Sequence, residues 1–401
     1  MPRPTFTRPV LILGVTQILS WGSLYYAFAL LAGDMQRALG LPSEAIYGAF
    51  SWALLVAGLV AAPAGIAIDR YGGRPVMAAG SLTCAAGFFL LARCTGAAAY
   101  FLAWSVLGAG MAAVLYEAAF ATLNRAAGLG ARHAISTLTL FGGFASTVFW
   151  PLTLQLERAA GWRHSYLLFG LAQLLLCLPL HLCLPRAAPR AHAGGAASAD
   201  LSLPQALRHG SFWHLALAFS ANSFIFAALS VHLIPILERA GHPATSVVFL
   251  AALIGPMQVA GRIGEMAFAG RSRPVNVGKI CFAILPVALL ALLLCGRQLG
   301  AVALFCVLYG LSNGILTIVR GTVPQQLFGA RNFGAISGAM AGPSLLAKAA
   351  GPLVIAAVVA RHPDPALLYG LLLACALASL LFFLLAVRGE RLREPLAGAP
   401  L

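Results

Sequence analysis

The sequence predicts an all-α membrane protein with twelve transmembrane helices in two pseudo-symmetric halves of six. Composition is the first reason: 60% of the 401 residues are hydrophobic and 9% are charged, whereas a soluble domain carries about a quarter charged residues. The second is that apolar runs of about 20 residues, long enough to cross the hydrocarbon core, recur along the whole chain. The third is a long polar stretch near the middle, which divides these runs into two groups of six.

Each apolar run predicts one transmembrane helix, because a helix satisfies its backbone hydrogen bonds internally in lipid. Continuous runs exclude the alternating pattern of a membrane β-barrel. The start of the chain is short and basic without a small-residue cleavage site, so no removable signal peptide is expected. The runs lie at 9–33, 45–68, 75–94, 97–122, 133–155, 163–185, 211–236, 244–269, 275–296, 299–320, 332–359 and 365–387.

The charge balance orients these helices. The chain has 26 Lys and Arg against 11 Asp and Glu, a formal net charge of +15. The bases lie in small groups between apolar runs instead of on one hydrated face, so no nucleic-acid partner is expected. With both termini in the cytoplasm, seventeen bases, Arg320 among them, fall in cytoplasmic segments and seven on the opposite side, in agreement with the positive-inside rule. The predicted location is a bacterial-type inner membrane.

The division of the chain predicts an N-terminal six-helix half at 1–185, a cytoplasmic central loop at 186–210, and a C-terminal half with a short cytoplasmic tail at 211–401. A weak repeat at an offset of roughly 200 residues relates the halves, a build expected of an alternating-access transporter with its substrate site midway between them. Within the loop, 201–208 is either a short interfacial helix or a plain solvated segment.

Several chemistries are not expected. The eight cysteines include no Cys-x-x-Cys pair, and the nine histidines show no metal-ligand spacing, so no metal site is predicted. A phosphate-binding glycine loop ending in Gly-Lys-Ser/Thr is absent from the sequence, which argues against ATP-driven pumping. We therefore expect no cofactor and no enzymatic activity.

The turn after the second run carries the most specific motif. It reads GIAIDRYGGRP over residues 65–75, and Asp69 in it can cap a helix or pair with an arginine across the interface of the halves. The pattern resembles the signature loop of the major facilitator superfamily, Gly-x-x-x-Asp-Arg-x-Gly-x-Arg. The resemblance implies a gating loop formed by Gly65, Asp69, Arg70, Gly72 and Arg74.

Shorter matches extend the resemblance over the chain. The GWR triplet at 161–163 is a frequent superfamily feature, and Trp21-Gly22, the segment 232–238 and Arg262 look like the monocarboxylate and oxalate/formate branch. Three departures limit what carries over. Trp104 replaces a helix-4 arginine of proton-linked members, the drug-antiporter motif Gly-x-x-x-Gly-Pro is in helix 11 at 338–343 instead of helix 5, and helix 1 has no lysine.

Two cations inside predicted helices are candidate substrate-binding groups, because a charge near the bilayer centre costs roughly 2.5–3.5 kcal/mol on insertion scales. Arg262 either binds a substrate carboxylate through its fork of donors or pairs with Glu265. Lys348 is a substrate-binding cation, a proton-titrating group, or a structural amine bonded to helix carbonyls.

Two further polar residues allow alternative roles. Glu117 either carries protons or pairs with Arg125 or Arg132 as a gate. His232, near the outer end of the seventh run, is a capped or water-exposed histidine or a proton relay.

Aromatic and amide side chains complete the candidate cavity. Trp21 and Tyr25 are four residues apart and share one face of the first helix, with Gln17 one turn before. Asn222 lies on the seventh helix and Asn313 on the tenth. Such a stripe is either packing or cavity lining, and the superfamily resemblance, in which helices 1 and 7 line the pathway, implies the second.

These observations predict a secondary active transporter that moves a small, monocarboxylate-like organic anion by alternating access, with protons as a candidate coupling ion. The excess of deep cations over the single deep acid Glu117 motivates an anion. The alternatives are proton-driven efflux of a hydrophobic or cationic compound, and a non-transporting membrane sensor on a carrier scaffold. Expected partners are the small-molecule substrate and the lipid bilayer, and the expected state is a monomer.

Overall fold

The structure, a computed structural model, describes residues 8–127, 130–186, 200–268, 272–362 and 364–388. These residues are almost entirely helical and include no β-strand. Eleven uninterrupted stretches of them are long and apolar enough to cross a membrane. The longest, Ala131–Leu182, holds two spans because it bends at Gly161, where φ is +76°. The predicted all-α membrane protein with twelve spans is thereby confirmed.

We number the spanning helices α1 to α12 in chain order. They are α1 (Arg8–Leu39), α2 (Ser43–Tyr71), α3 (Gly73–Arg93), α4 (Ala97–Ala127), α5 (131–160), α6 (161–182), α7 (Gly210–Arg239), α8 (Thr245–Ala267), α9 (Pro274–Cys295), α10 (Leu299–Phe328), α11 (Phe333–Arg361) and α12 (Pro365–Arg388).

Helix contacts divide the chain into two compact units. Unit N comprises Met1–Asp200 and Ala330–Leu345, and unit C comprises Leu201–Gly329 and Leu346–Leu401. Unit N thus contains α1 to α6 with the first half of α11. The division into 1–185, 186–210 and 211–401 stays a prediction, and residues 187–199 of its central loop lie outside the described residues.

The core of unit N is rich in aromatic rings. Trp104 in α4 is fully buried and meets Phe28 and Phe50 edge to face, with ring centroids 5.2 and 5.3 Å apart. Such pairs contribute about 0.5–1.5 kcal/mol beyond the buried area. Trp104, at the position where many proton-linked members of the resembled superfamily have an arginine, is therefore a packing residue in this chain.

Unit C is held together by ring stacking and by a reciprocal pair of hydrogen bonds between α9 and α10. The Ser312 hydroxyl donates to the Cys281 carbonyl over 3.0 Å, and the Cys281 thiol donates to the Ser312 carbonyl over 3.2 Å. Phe282 of α9 stacks on Phe383 of α12 with centroids 4.4 Å apart. Cys281 thus acts as a small buried packing group, as expected for a cysteine in an apolar helix.

The GWR triplet joins α5 to α6 and fixes the end of α3. Gly161 takes the positive φ that a side chain disfavours. Arg163 then donates to the carbonyls of Ala92 and Cys94, over 2.8 and 2.9 Å, at the end of α3. A cation at a helix C-terminus satisfies otherwise unpaired carbonyls and suits the helix dipole.

The described end of the central loop contains a short helix, Leu203–Leu207. Ser202 caps it, with Gln205 accepting from the Ser202 backbone over 2.8 Å, a reciprocal arrangement that satisfies the first free N–H groups of a helix. Of the two interpretations of 201–208, the helical one is confirmed for these residues.

Candidate functional site

Arg262 lies deep in unit C. Its side chain is 5% exposed, and its Nε and Nη1 have no hydrogen-bond partner among the described residues. Glu265, also 5% exposed, is three residues further along α8. Because Arg262 Nε and Nη1 have no partner among the described residues, Glu265 does not occupy these two N–H groups.

Two neutral polar groups of α10 are also buried in unit C. Asn313 Nδ2 and the Tyr309 hydroxyl are buried and lack a hydrogen-bond partner in the described structure. They are four residues apart and so lie on one face of α10. Tyr309 is a site residue that the sequence did not single out, since a tyrosine in an apolar run usually packs.

Glycines bring α8 and α10 into backbone contact at this level. A Cβ at Gly261 would come within 2.6 Å of the Leu311 carbonyl oxygen, and a Cβ at Gly314 would overlap the Gln258 carbonyl. Because Arg262 follows Gly261 and Asn313 precedes Gly314, both polar residues lie beside the contact. This part of unit C therefore collects buried donors without acceptors, an arrangement suited to a bound anion.

Lys348 lies on the unit C part of α11. Its Nζ is 5.8 Å from the centre of the Phe226 ring of α7, a cation–π distance. One turn further along α11, the Pro352 carbonyl oxygen lies 3.0 Å from Nε2 of His232, a residue of α7. A carbonyl accepts, so Nε2 donates, and His232 ties α7 to α11. This arrangement favours the structural interpretation of His232.

Arg320 is a cation that sequence reasoning placed elsewhere. The tenth apolar run was expected to end at residue 320, but α10 continues to Phe328 through a segment that contains Pro324 and two glutamines. Arg320 therefore lies inside the helix, half-buried. Its Nη2 donates to the Ser223 hydroxyl of α7 over 2.8 Å, and its guanidinium carbon is 5.4 Å from the centre of the Phe219 ring.

Gln17, Trp21 and Tyr25 meet a broken part of α4 in unit N. The α-helix of α4 is interrupted at Leu115, where ψ is −166°. Gln17 Nε2 donates to the Val114 carbonyl there over 2.6 Å, and Gln17 Oε1 accepts from the Trp21 indole over 3.1 Å. The Trp21 ring lies 5.6 Å from that of Tyr25. Both ends of Gln17 are thus bonded within the protein.

Around the same break, α1 forms a π-helical turn at Gly22–Tyr26, a distortion frequent at functional sites. Tyr116, the first residue after the break, lies 5.1 Å from the Trp21 ring, and its hydroxyl fills the space where a Cβ at Gly142 would stand. Tyr116 is a second aromatic residue that the sequence did not assign to the cavity.

Glu117 begins the second segment of α4. It is half-buried, and among the described residues no hydrogen bond or ion pair to it is present. Arg125, one of its predicted gate partners, instead donates to the Asp69 carbonyl. The structure therefore brings Glu117 to the α4 break but does not pair it with Arg125.

Asp69 caps the start of α11 within unit N. Its Oδ1 accepts from the Gly334 N–H over 3.2 Å and its Oδ2 from the Ala335 N–H over 2.8 Å. An anion at a helix N-terminus is stabilised by the free N–H groups and the helix dipole. Helix capping, one of the two roles weighed for Asp69, is thus observed. Gly72, with φ +88°, forms the turn from α2 to α3.

Glycines allow α2 and α11 to touch along their backbones. A Cβ at Gly65 would overlap the Gly334 carbonyl, and a Cβ at Gly338 would overlap the Ala61 carbonyl. Gly338 belongs to the Gly-x-x-x-Gly-Pro sequence noted in helix 11. Its role here is close packing against α2, a known use of glycine spaced at four residues in membrane helices.

The remaining candidates are located but not given a role by these contacts. Arg70 lies over the Tyr71 ring, 5.2 Å from its centre, and Arg74 is half-buried at the start of α3. Asn222 is 3% exposed on α7, next to Ser223. Their participation in binding or gating stays a prediction. In the described residues no group of three His, Cys, Asp or Glu side chains could hold a metal ion.

The chain has clear relatives. Monocarboxylate transporter 3 of Rattus norvegicus is 27% identical over 294 residues, which cover 67% of this chain and 56% of the rat protein. The chain thus spans little more than half of that relative's length. An uncharacterized 38 kDa protein of a 23S RNA operon of Thermoproteus tenax is 30% identical over 316 residues, 78% of each chain.

Solved structures share the fold. The human organic anion transporter MFSD10 superposes with a TM-score of 0.71 at 19% identity, covering 96% of this chain and 100% of that one. The transporter FucP in its outward conformation gives 0.71 at 15% identity, with 96% and 99% covered. The sequence profile of the Major Facilitator Superfamily matches residues 11–352. The chain therefore belongs to the Major Facilitator Superfamily.

Proposed function

We propose that this chain is a secondary transporter of a small organic anion, which it recognises through a carboxylate. The observation that carries the proposal is Arg262, a buried guanidinium with two N–H groups that have no partner among the described residues. Removing an ion from water costs several kcal/mol unless a partner of opposite charge is well placed. A carboxylate offers that partner, because two of its oxygens match the fork of an arginine.

The charge count in unit C also favours an anion. Its described helices contain four buried or half-buried cations, Arg262, Lys279, Arg320 and Lys348, against one buried acid, Glu265. The other described acids of this unit, Glu238 and Asp364, are exposed. If Glu265 neutralises one cation, three positive charges remain in these helices.

Neutral donors add to the proposed site. The Asn313 amide and the Tyr309 hydroxyl lie on α10 beside the α8 contact and need acceptors, which a carboxylate oxygen provides. Two of the similar proteins are described as a monocarboxylate transporter and an organic anion transporter, a description that agrees with this assignment.

Proton coupling is the second part of the proposal, and Glu117 is the group that we assign to it. A carboxylate inside a spanning helix is costly when ionised and marks proton pathways in transporters. Glu117 lies at the break of α4, without a hydrogen bond to the described residues around it. We propose that it takes up and releases a proton during the transport cycle.

We propose that the 65–74 loop is a gate. Transport by alternating access requires one end of the pathway to open and close. We assign the gate to the place where the Asp69 bonds and the glycine contacts at Gly65 and Gly338 join α2 to α11. Both termini are proposed to face the cytoplasm of a bacterial-type inner membrane, and the working unit is proposed to be a monomer.

The test is uptake into proteoliposomes. Purified protein is given labelled mono- and dicarboxylates under an inward proton gradient, with Arg262→Gln as the site variant and Arg239→Gln, an exposed cation at the end of α7, as the matched control. We expect Arg262→Gln to lower uptake at limiting substrate by about tenfold or more, equivalent to about 1.4 kcal/mol, and the control to change it by less than about twofold.

Three results would contradict the proposal. Unchanged uptake by Arg262→Gln removes the residue from the site. Resistance of an efflux-deficient host to hydrophobic cations, with no anion uptake, identifies an exporter instead. Anion binding in detergent without counterflow in vesicles identifies a sensor.

A further inference from the structure

We propose that Asp200, at the described end of the central loop, is a second positioning residue of the gate, where it holds the chain before α11 as Asp69 holds the start of α11. The inference rests on the gate proposed above and extends it to a residue outside the 65–74 loop. Its basis is that three polar side chains from separate segments of unit N bond the backbone of residues 330–335.

The carboxylate of Asp200 bonds two consecutive N–H groups of the turn between α10 and α11. Its Oδ1 accepts from the N–H of Ala330 over 2.9 Å and from the N–H of Arg331 over 3.2 Å. Both residues precede Phe333, the first residue of α11. Hydrogen bonds to an ionised acceptor are roughly twice as strong as neutral ones. Asp200 therefore fixes the backbone just before α11 begins.

Asn124, near the end of α4, bonds the same turn. Its Nδ2 donates to the Ala330 carbonyl over 3.1 Å, and its side chain is 4% exposed. Asp200 and Asn124 thus occupy the N–H and the C=O of one residue, Ala330. With both of its backbone polar groups bonded to side chains, Ala330 has little freedom to move apart from α4 and the loop end.

Asp69 holds the next part of the same segment. Its two oxygens accept from the N–H groups of Gly334 and Ala335, so two carboxylates bind four N–H groups within residues 330–335. The first N–H groups of a helix have no partner inside the helix and attract anions. Asp200 and Asp69 therefore act on the same helix terminus.

The residue after Asp200 fixes the loop end beside α10. The Leu201 N–H donates to the carbonyl of Phe328, the last residue of α10, over 3.0 Å. Gly329, which follows, has φ +92°, a conformation that a side chain disfavours. Because the loop backbone is bonded at Leu201, the neighbouring Asp200 carboxylate is held at a fixed place next to the turn.

The bonded arrangement corresponds to the closed form of the proposed gate. Opening separates α2 from the start of α11, so a group that stabilises this start in its bonded position lowers the population of the open form. Asp200 is exposed and precedes the spanning helices of unit C. It therefore acts on opening, as a positioning residue, and not on the anion itself.

The test is the rate at which a maleimide labels a cysteine at the gate. Ala335→Cys is made in the full chain after its eight native cysteines are replaced by serine or alanine, because Ala335 is 4% exposed in the bonded arrangement. Labelling and Tm in detergent are compared for Asp200→Ala, Asp200→Asn, Asn124→Ala and the control Asp364→Ala. Asp364 is also exposed and caps α12, where its Oδ1 accepts from the Ala366 N–H over 2.9 Å.

We expect labelling to be about fivefold faster in Asp200→Ala, about threefold faster in Asn124→Ala and about twofold faster in Asp200→Asn, which keeps a neutral acceptor. Asp364→Ala should label at the rate of the parent protein. A purely structural role gives a lower Tm with unchanged labelling in the Asp200 variants, and that pattern would overturn the inference. If Asp200→Ala does not fold, Asp200→Asn decides by the same criterion.

Failure of the underlying gate is seen separately, in Asp69→Asn. If this variant also labels at the parent rate, the proposed gate is wrong, whereas unchanged labelling in the Asp200 variants alone contradicts only the present inference. Neither result depends on anion uptake by the wild type, which tests the proposed transport.

Discussion

The α1–α4 contact and the α8–α10 contact both place amide and aromatic groups inside apolar helices, and they use them in opposite ways. At α1–α4, Gln17 bonds the Val114 carbonyl and the Trp21 indole, so its polar groups are satisfied within the protein. At α8–α10, Arg262, Tyr309 and Asn313 keep donors without acceptors in the described structure. The difference teaches that the satisfied groups of α1–α4 build the fold, whereas the unsatisfied donors at α8–α10, which include a buried charge, point to a ligand.

Gln17 should therefore behave as a structural residue. Replacing it by Leu removes the donor of the Val114 carbonyl and the acceptor of the Trp21 indole, at a cost of about 1–3 kcal/mol in the free energy of unfolding. We expect Gln17→Leu to lower Tm in detergent and to leave KM for the anion within about twofold. Thr83→Ala is the control, because the exposed hydrogen bond of the Thr83 hydroxyl stays within its own helix.

A KM that rises by an order of magnitude in Gln17→Leu, with Tm unchanged, would break the comparison. It would mean that the amide reaches the substrate and that its bonds in α1–α4 are exchanged during transport.

Glu117 provides a second test of this comparison. It is an acid near the satisfied α1–α4 contact, but it makes no hydrogen bond or ion pair to the described residues. We expect Glu117→Gln, which mimics the protonated form, to lose about tenfold of the uptake driven by an acidic exterior. Exchange of labelled for unlabelled anion at equal pH should persist. Uptake that still follows the pH gradient in this variant would assign the proton to another group.

Tyr309 gives the smallest expected effect. Tyr309→Phe removes one hydroxyl and keeps the ring, which stacks on Phe305 with centroids 5.4 Å apart. We expect KM to rise about threefold, the loss of one neutral hydrogen bond worth about 0.5–1.5 kcal/mol, with Tm unchanged or higher. An unchanged KM would mean that only the charged residues of the proposed site contact the anion.

The sequence predicted the parts of this molecule that depend on local pattern. Hydropathy located all twelve spans, and the spacing of the 65–75 motif identified Asp69 as a helix-capping or pairing residue. Arg262 and Lys348 were found because a charge in an apolar run is conspicuous. These features are encoded by residues that are close together in the chain.

The parts that were missed depend on partners far away in the chain. Gln17 bonds a carbonyl 97 residues later, and the exposed carbonyl exists only because α4 breaks at Leu115. Arg320 was assigned to a loop because a charge commonly ends an apolar run, whereas its partner Ser223 precedes it by 97 residues. Tyr309 has no distinguishing pattern, since only the packing of α8 and α10 leaves its hydroxyl without an acceptor.

The central claim, that Arg262 is a buried cation completed by a bound anion, is tested most directly by thermal unfolding of Arg262→Met with and without the transported acid. Without the acid, we expect the variant to unfold at or above the wild-type temperature, since an apolar side chain replaces an unpaired buried charge. With the acid, we expect only the wild type to gain stability, in proportion to ligand occupancy. A variant that is less stable without the acid, and is stabilised by it as strongly as the wild type, would contradict the account.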